Sequence, residues 1–422
     1  MSRRITAGIL GMLCAAALVS APAAASATAS AAGAAASCTA TESAVYTPPA
    51  TVTGTAGTVL ACRPVTLAEV PGNIAMNAWQ LQYASADLRG RPVAVSGTVA
   101  VPTAPWTGPG RRPVVSFHFG TLGLGSQCAF SRQLAGAYQD EYEGDQIAAI
   151  LKAGWAAVAT DDVGYLTGQT HTYMAGANAG HAMLDGVRAA FELPGSGLSR
   201  SARVAVWGYS QGGAAALWSA QLASSYAPEL ALVGAAAGGV PADLRAVATS
   251  SDGGAFAGFS VDATIGLATA YPQLPFGSVL NDTGRGLVAD LKTLCLAGTV
   301  ARGSGAKVAD LTAGGLGYDE LFRLAGPDGT TWGDAVDAQK LGTGLGGRYR
   351  IGFPVLQYHG LLDEVIPTEV EDAVHTAYCR AGVTTQQQLY LADHLLADSQ
   401  AISDVVSWLT ARFGGASTSG NC

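Results

Sequence analysis

The chain alternates between two hydrophobic rhythms, and the switch between them outlines its architecture. Residues 79–85 alternate apolar and polar, and a polar turn, 86–91, that contains Gly90 separates them from an apolar stretch at 93–101. Two such runs around a glycine-bearing turn predict an antiparallel hairpin at the edge of a sheet. Beyond it, short apolar runs at 113–119, 156–160 and 204–207 predict buried strands. The segments between them place apolar residues at helical spacing, as in Met183, Leu184, Val187 and Phe191, with further helices predicted over 145–153 and 212–224. The alternation returns near the C-terminus, with strands at 353–359 and 388–391, a helix at 367–381, and a last helix bearing Ile402, Val405, Leu409 and Phe413. Strand–helix alternation of this kind predicts βαβ units, hence an α/β fold with a mostly parallel sheet covered by helices on both faces.

Between the two blocks the alternation stops. Residues 242–347 show helix-like apolar stretches at 256–271 and 287–296, broken by Gly314-Gly315 and by the glycine-rich run 344–347. The absence of a clean strand pattern predicts an inserted, mainly helical cap between core segments 41–241 and 348–422, with additional sheet as the alternative.

The N-terminus reads differently again. Arg3 and Arg4 precede an apolar run, 5–19, and Ala23 and Ala25 supply a small-residue cleavage site. The run is shorter than the roughly 20 residues a membrane-spanning helix needs. Residues 1–25 therefore read as a cleaved signal peptide of a secreted protein, with an uncleaved anchor as the alternative; residues 26–40 read as a disordered leader rich in Ala and Ser. Cleavage removes Cys14 and leaves Cys38, Cys62, Cys128, Cys295, Cys379 and Cys422. An even number in an exported chain predicts disulfides, and no CxxC pair or Cys/His cluster asks for a metal. No cofactor is expected either. The formal charge of −8, without any Lys/Arg run, argues against nucleic acid and anionic membrane as partners.

The strongest chemical signal is Gly208-Tyr209-Ser210-Gln211-Gly212, set between the predicted strand 204–207 and an Ala-rich helix. A nucleophile elbow needs small residues two before and two after its serine, because the turn is too tight for larger side chains. Strand before and helix after supply the context that the motif requires, so Ser210 is the predicted nucleophile of an α/β-hydrolase fold. The Gln211 N–H, at the start of the helix, is a predicted oxyanion donor.

In this fold the order is nucleophile, acid, histidine, which leaves His359, His375 and His394 as bases. His394 follows the last predicted strand and precedes the final helix, whereas His375 falls inside a predicted helix. The acid should leave the end of the preceding strand, where Asp363 fits best and Glu364 is its rival. Topology places a second oxyanion donor after the strand 113–119, at Gly120 or Thr121.

The stretches Ala159-Thr160-Asp161-Asp162-Val163-Gly164-Tyr165, Met183-Leu184-Asp185-Gly186-Val187-Arg188-Ala189 and Ser225-Tyr226-Ala227-Pro228-Glu229-Leu230, taken with the elbow, resemble the secretory lipases typified by Candida antarctica lipase A. Phe117-His118-Phe119-Gly120-Thr121 with Cys128, and the Asp363 and His394 loops, extend the likeness over most of the mature chain. The resemblance implies an α/β-hydrolase core with a helical cap inserted before the acid, a triad of Ser210, Asp363 and His394, and hydrolysis of ester bonds in acylglycerols. It implies Asp161 as the second oxyanion residue, against a turn or capping aspartate, and suggests pairing of Cys379 with Cys422. A monomer acting on an ester or acylglycerol is expected, with contact to a lipid–water interface left open. Competing readings are an acyltransferase or peptidase on the same triad, or a secreted binding protein on a hydrolase scaffold.

Overall fold

The structure is a computed structural model that describes residues 37–138 and 140–422; the expected signal peptide and the leader up to residue 36 lie outside the described residues. Nine strands form one sheet in the order β1-β2-β3-β5-β4-β6-β7-β8-β9. They are β1 (Val59–Pro64), β2 (Met76–Ala86), β3 (Pro92–Pro102), β4 (Val114–His118), β5 (Ala156–Thr160), β6 (Arg203–Tyr209), β7 (Ala231–Gly238), β8 (Val355–Gly360) and β9 (Thr385–Tyr390). The first three pair antiparallel, and β3 meets β5 antiparallel; β5, β4, β6, β7, β8 and β9 are parallel in turn. This is the α/β-hydrolase arrangement.

Central strands explain their own composition. Every residue of β4 and β5 is buried, as is all of β6 after Arg203. A parallel strand covered on both faces has to be apolar throughout, which is why Val114–His118 and Ala156–Thr160 read as continuous runs rather than as alternations. On one face lie the helices α4 (Gly176–Glu192) and α5 (Gln211–Tyr226); on the other lie α3 (Gly144–Lys152) and α14 (His394–Phe413), so the sheet separates two hydrophobic cores. Two short helices precede these, α1 (Glu42–Tyr46) and α2 (Phe130–Leu134), while α13 (Thr368–Arg380) connects β8 to β9.

Between β7 and β8 the chain forms α6 (Leu244–Ser251), α7 (Ala257–Ala270), α8 (Asp282–Leu291), α9 (Leu296–Gly303), α10 (Val308–Leu311), α11 (Tyr318–Leu321) and α12 (Trp332–Asp337). Among the described residues this insertion holds isolated bridges such as Leu280 with Thr312, but no strand. It belongs to the same compact body as the sheet, Ser37–Cys422. Three disulfides, Cys38–Cys62, Cys128–Cys295 and Cys379–Cys422, tie the chain, the second joining the insertion to the segment after β4.

Several elements differ from expectation. The predicted helix over 287–296 is two helices, because Lys292 caps α8 and Cys295, held by its disulfide, becomes the N-cap of α9. The last strand starts at Thr385, three residues before the predicted start, its polar TQQQ opening masking it. Strands β1 and β7 were not anticipated; β7, ALVGAAAG, lacks the β-branched run that marks a strand.

Candidate active site

The site lies at the carboxyl ends of the parallel strands, where open α/β sheets bind their ligands. At the end of β6, Ser210 adopts φ 55° and ψ −120°, left-handed for a residue that is not glycine. Such a conformation costs on the order of 1–3 kcal/mol and persists only where the surroundings impose it. Here they do. A Cβ on Gly208 would lie 2.3 Å from the carbonyl oxygen of Gly212, and one on Gly212 would lie 2.0 Å from that of His118. Glycine at both positions is therefore a packing requirement of the turn.

The candidate acid and base stand after the ends of β8 and β9. His394, the first residue of α14, is oriented by Asp393, whose side chain accepts from Leu396 N at 2.8 Å as N-cap. Its own N–H donates to Glu364 Oε2 at 3.2 Å. Nδ1 of the imidazole lies 2.6 Å from Asp363 Oδ2, while Asp363 Oδ1 accepts from the N–H groups of Val365 at 2.9 Å and Ile366 at 2.8 Å. Burial opposes charge on His394, but the Asp363 carboxylate outweighs it and raises the imidazole pKa above its ordinary value.

Ser210 and His394 both approach the glycine turn at the end of β7. Ser210 N–H donates to Gly238 O at 2.8 Å, and a Cβ on Gly239 would lie 2.9 Å from His394 Cε1. The Tyr209 ring is 5.0 Å from the imidazole, centroid to centroid. Among the described residues Ser210 Oγ has no hydrogen-bond partner, and Ser210 lines a cavity. Serine–histidine contacts in empty sites are often long and tighten on binding.

The four oxyanion candidates separate cleanly. Gln211 opens α5, so its N–H has no intrahelical acceptor. Its side-chain Nε2 lies 2.8 Å from His171 Nε2, and His171 Nδ1 lies 3.1 Å from Val163 O. Burial lowers the His171 pKa to about 4, so the ring is neutral, donating through Nδ1 and accepting through Nε2. Gly120 N–H is consumed by Glu143 Oε2 at 2.6 Å. Thr121 lines the cavity with Ser210; its hydroxyl meets Tyr173 OH at 2.7 Å, and its N–H has no acceptor among the described residues. Asp161 is placed elsewhere. Its carboxylate accepts from Ser96 Oγ at 2.6 Å and from Ser131 N at 2.7 Å and Oγ at 2.5 Å, wholly buried, and it does not line the cavity.

The other histidines stand elsewhere: His181 stacks on Tyr226 with its Nδ1 3.1 Å from Ala86 O. His118 stacks on Phe119 and its Nε2 lies 3.3 Å from Asp162 Oδ2; His359 faces Glu371 at 2.9 Å; His375 sits in α13 beside Cys379. Two contributors were missed in the sequence, His171 behind Gln211 and Glu143 behind Gly120. Both lie before the elbow, outside the nucleophile–acid–histidine order, and no local motif marks them.

The cavity is walled chiefly by the insertion, with Leu244, Phe256, Phe259, Leu267, Leu321 and Trp332 among its lining, and by Val365 and Ile366 of the acid loop. Its inner surface is mostly apolar, with the hydroxyl side chains of Ser251, Ser260 and Thr264 also on it.

A family model described as Secretory lipase matches residues 130–421. Lipase 10 of Candida albicans is 30% identical over 368 residues, covering 83% of this chain and 75% of the relative. A probable inactive lipase of Mycobacterium tuberculosis is also 30% identical, over 377 residues, 85% of this chain and 79% of the relative. Among solved structures, Candida antarctica lipase A in its closed state superposes with a TM-score of 0.77 at 24% identity, over 89% of this chain and 87% of that one.

Proposed function

The chain belongs to the secretory lipase family, and from that premise we propose that it is a secreted carboxylic ester hydrolase acting on acylglycerols through Ser210, His394 and Asp363. Membership alone does not carry catalysis, since one relative is described as probably inactive. What carries the reading is Asp363, whose carboxylate holds His394 Nδ1 at 2.6 Å while two backbone N–H groups fix its other oxygen. That arrangement leaves Nε2 as the free, basic nitrogen.

In this mechanism His394 Nε2 takes the Ser210 proton as Oγ attacks the ester carbonyl. The electron pair displaced onto the carbonyl oxygen is met by the Gln211 N–H at the positive end of α5 and by the Thr121 N–H from the loop after β4. The imidazolium then protonates the departing alkoxide, leaving an acyl-Ser210 ester. Water, deprotonated by the same nitrogen, releases the acid and restores the serine. The geometry favours Thr121 over Asp161 as second donor, because every oxygen of Asp161 is already engaged away from the cavity. The inserted helices act as a cap that holds the acyl chain, and their apolar wall favours an acyl group over a peptide.

Incubation with a fluorophosphonate probe should label Ser210 in the folded chain, and p-nitrophenyl esters should be hydrolysed, both lost in Ser210→Ala. A folded chain that neither reacts at Ser210 nor cleaves any ester in a chain-length series overturns the reading.

A further inference from the structure

The wall of the cavity changes character along its length. Helix α6 lines it with one face, Leu244, Val247, Ala248 and Ser251 recurring at helical spacing, and Pro241 leads into that helix from the glycine turn that binds Ser210 N–H. The helix therefore starts at the serine end of the cavity. Ser251, seven residues after Leu244, stands about 10 Å farther along its axis. There three hydroxyls from three helices converge. Ser251 Oγ of α6 lies 2.6 Å from Ser260 Oγ of α7, and Ser260 also hydrogen-bonds the hydroxyl of Tyr318 in α11. All three residues line the cavity. Ser251 Oγ donates to Ala248 O at 3.3 Å, so the row runs from Tyr318 through Ser260 and Ser251 to that carbonyl, each proton spent on the next oxygen. Burial keeps the Tyr318 phenol protonated, as the donor that starts the row. A hydroxyl has one proton and two acceptor positions, so what the row leaves unspent is lone pairs on Ser251 and Ser260. Thr264, on the same wall, turns its own hydroxyl back onto its helix, donating to Ser260 O at 2.9 Å.

We propose that this hydroxyl row determines specificity, selecting acyl chains that carry a hydroxyl group part-way along their length over unsubstituted chains. The proposal deepens the ester-hydrolase reading above and rests on it. A hydroxyl on the chain donates to a free lone pair of Ser260 or Ser251. A methylene pressed against the same oxygens excludes water and gives no hydrogen bond in return. Sites built around a substrate hydroxyl discriminate against the analogue lacking it for this reason, since the site's own polar groups are left poorly satisfied. A tie between helices needs no place on the cavity wall, and Phe256, Phe259 and Leu321, sequence neighbours of the row, show that apolar residues serve there equally well. It is the exposure of all three hydroxyl-bearing residues to one acyl-sized space that points to a ligand.

The test offers the mature chain an equimolar mixture of ethyl ricinoleate and ethyl oleate in one emulsion, two esters that differ by a single mid-chain hydroxyl, and quantifies the released acids by mass spectrometry. The parent should favour the ricinoleoyl ester by about fivefold or more in kcat/KM. Ser260→Ala should lower that ratio to about a third or less of the parent's, and Ser251→Ala, the milder variant, should lower it in the same direction. In both, hydrolysis of p-nitrophenyl butyrate, too short to reach the row, should stay within about twofold of the parent, which shows that fold and triad survive. A ratio unchanged in both variants overturns the proposal. So does an equal slowing of the two long esters, which a purely structural tie between α6, α7 and α11 would produce, or a parent that prefers the oleoyl ester. If the parent cleaves no ester at all, the hydrolase reading falls, and equilibrium binding of the same two esters decides the row by itself: tighter binding of ethyl ricinoleate that Ser260→Ala abolishes upholds it, and equal binding of the two overturns it.

Discussion

Two buried aspartates, one in the sheet's loops and one in the inserted helices, show how differently the two regions treat the same side chain. Asp363 has both oxygens engaged by His394 Nδ1 and the N–H groups of Val365 and Ile366. Among the described residues Asp262, inside α7, receives only Thr299 Oγ1 at 3.3 Å on one oxygen, and its Oδ1 has no partner. One hydroxyl leaves a buried carboxylate poorly satisfied, and burial drives the Asp262 pKa well upward. The loops at the strand ends are thus built to fix charge and proton position, whereas the insertion is built as apolar wall. If that division is real, damage to the first region should appear in turnover and damage to the second in the choice of substrate.

The largest effect tests the first half of the comparison. Asp363→Asn should keep the fold, by circular dichroism, yet reduce kcat by about 10⁴, because the amide no longer enforces the reactive imidazole tautomer. A neutral His394 is needed for attack, and the Asp363 bond raises its pKa over the opposing effect of burial. The acid limb of kcat/KM in the parent should therefore lie above the ordinary histidine value of about 6.5 and move to lower pH in the variant. A drop of less than tenfold would remove the charged loop from the mechanism.

Next in size is the oxyanion pair. Thr121→Pro deletes the proposed donor and should cost about 10²–10³ in kcat, while Thr121→Ala, which retains the N–H, should stay within about tenfold. Asp161→Asn serves as the contrast. It disturbs three hydrogen bonds from Ser96 and Ser131, so it should lower stability by about 1–3 kcal/mol in urea unfolding with kcat changed less than tenfold. The reverse pattern would return the oxyanion role to Asp161.

How much of this was legible beforehand follows the same divide. Tight backbone requirements leave a signature in residue type, so Gly208 and Gly212 pointed to Ser210 before any coordinates, and strand order narrowed the base and acid to the ends of β9 and β8. Side-chain partnerships across the sheet leave none. Nothing near Asp161 announces that Ser96 and Ser131 occupy it, and nothing near Gln211 announces His171. The insertion was legible only as a loss of alternation, because short helices joined by glycines, such as α10 and α11, carry too few turns to show a period.

The second half of the comparison is tested where the insertion divides its own interior. Leu321, with Thr264 and Tyr318, stands between the cavity at Ser210 and a neighbouring apolar cavity. Leu321→Ala should join them, leaving p-nitrophenyl butyrate turnover within about threefold while raising kcat/KM for the longest acyl chains by about tenfold, on the scale that added hydrophobic contact supplies. Unfolding experiments should show a cost of about 2–5 kcal/mol for the space created. A uniform fall across all chain lengths would mean that the wall shapes the reacting atoms as well.

The smallest effect is the sharpest on charge. Because the folded pKa of Asp262 is raised above its unfolded value, the folded state binds the extra proton. The resulting stability is fully present below about pH 3.9 and is lost progressively as pH rises toward and through the folded value. Asp262→Asn keeps the shape and cannot titrate, so its Tm should match the parent near pH 4 and exceed it increasingly as pH rises, with the difference levelling once the parent carboxyl ionises. Turnover should change less than twofold, since Asp262 does not line the cavity. A variant that instead loses ground as pH rises would show that Asp262 is held charged and that the inserted region contains a stabilising partner for it after all.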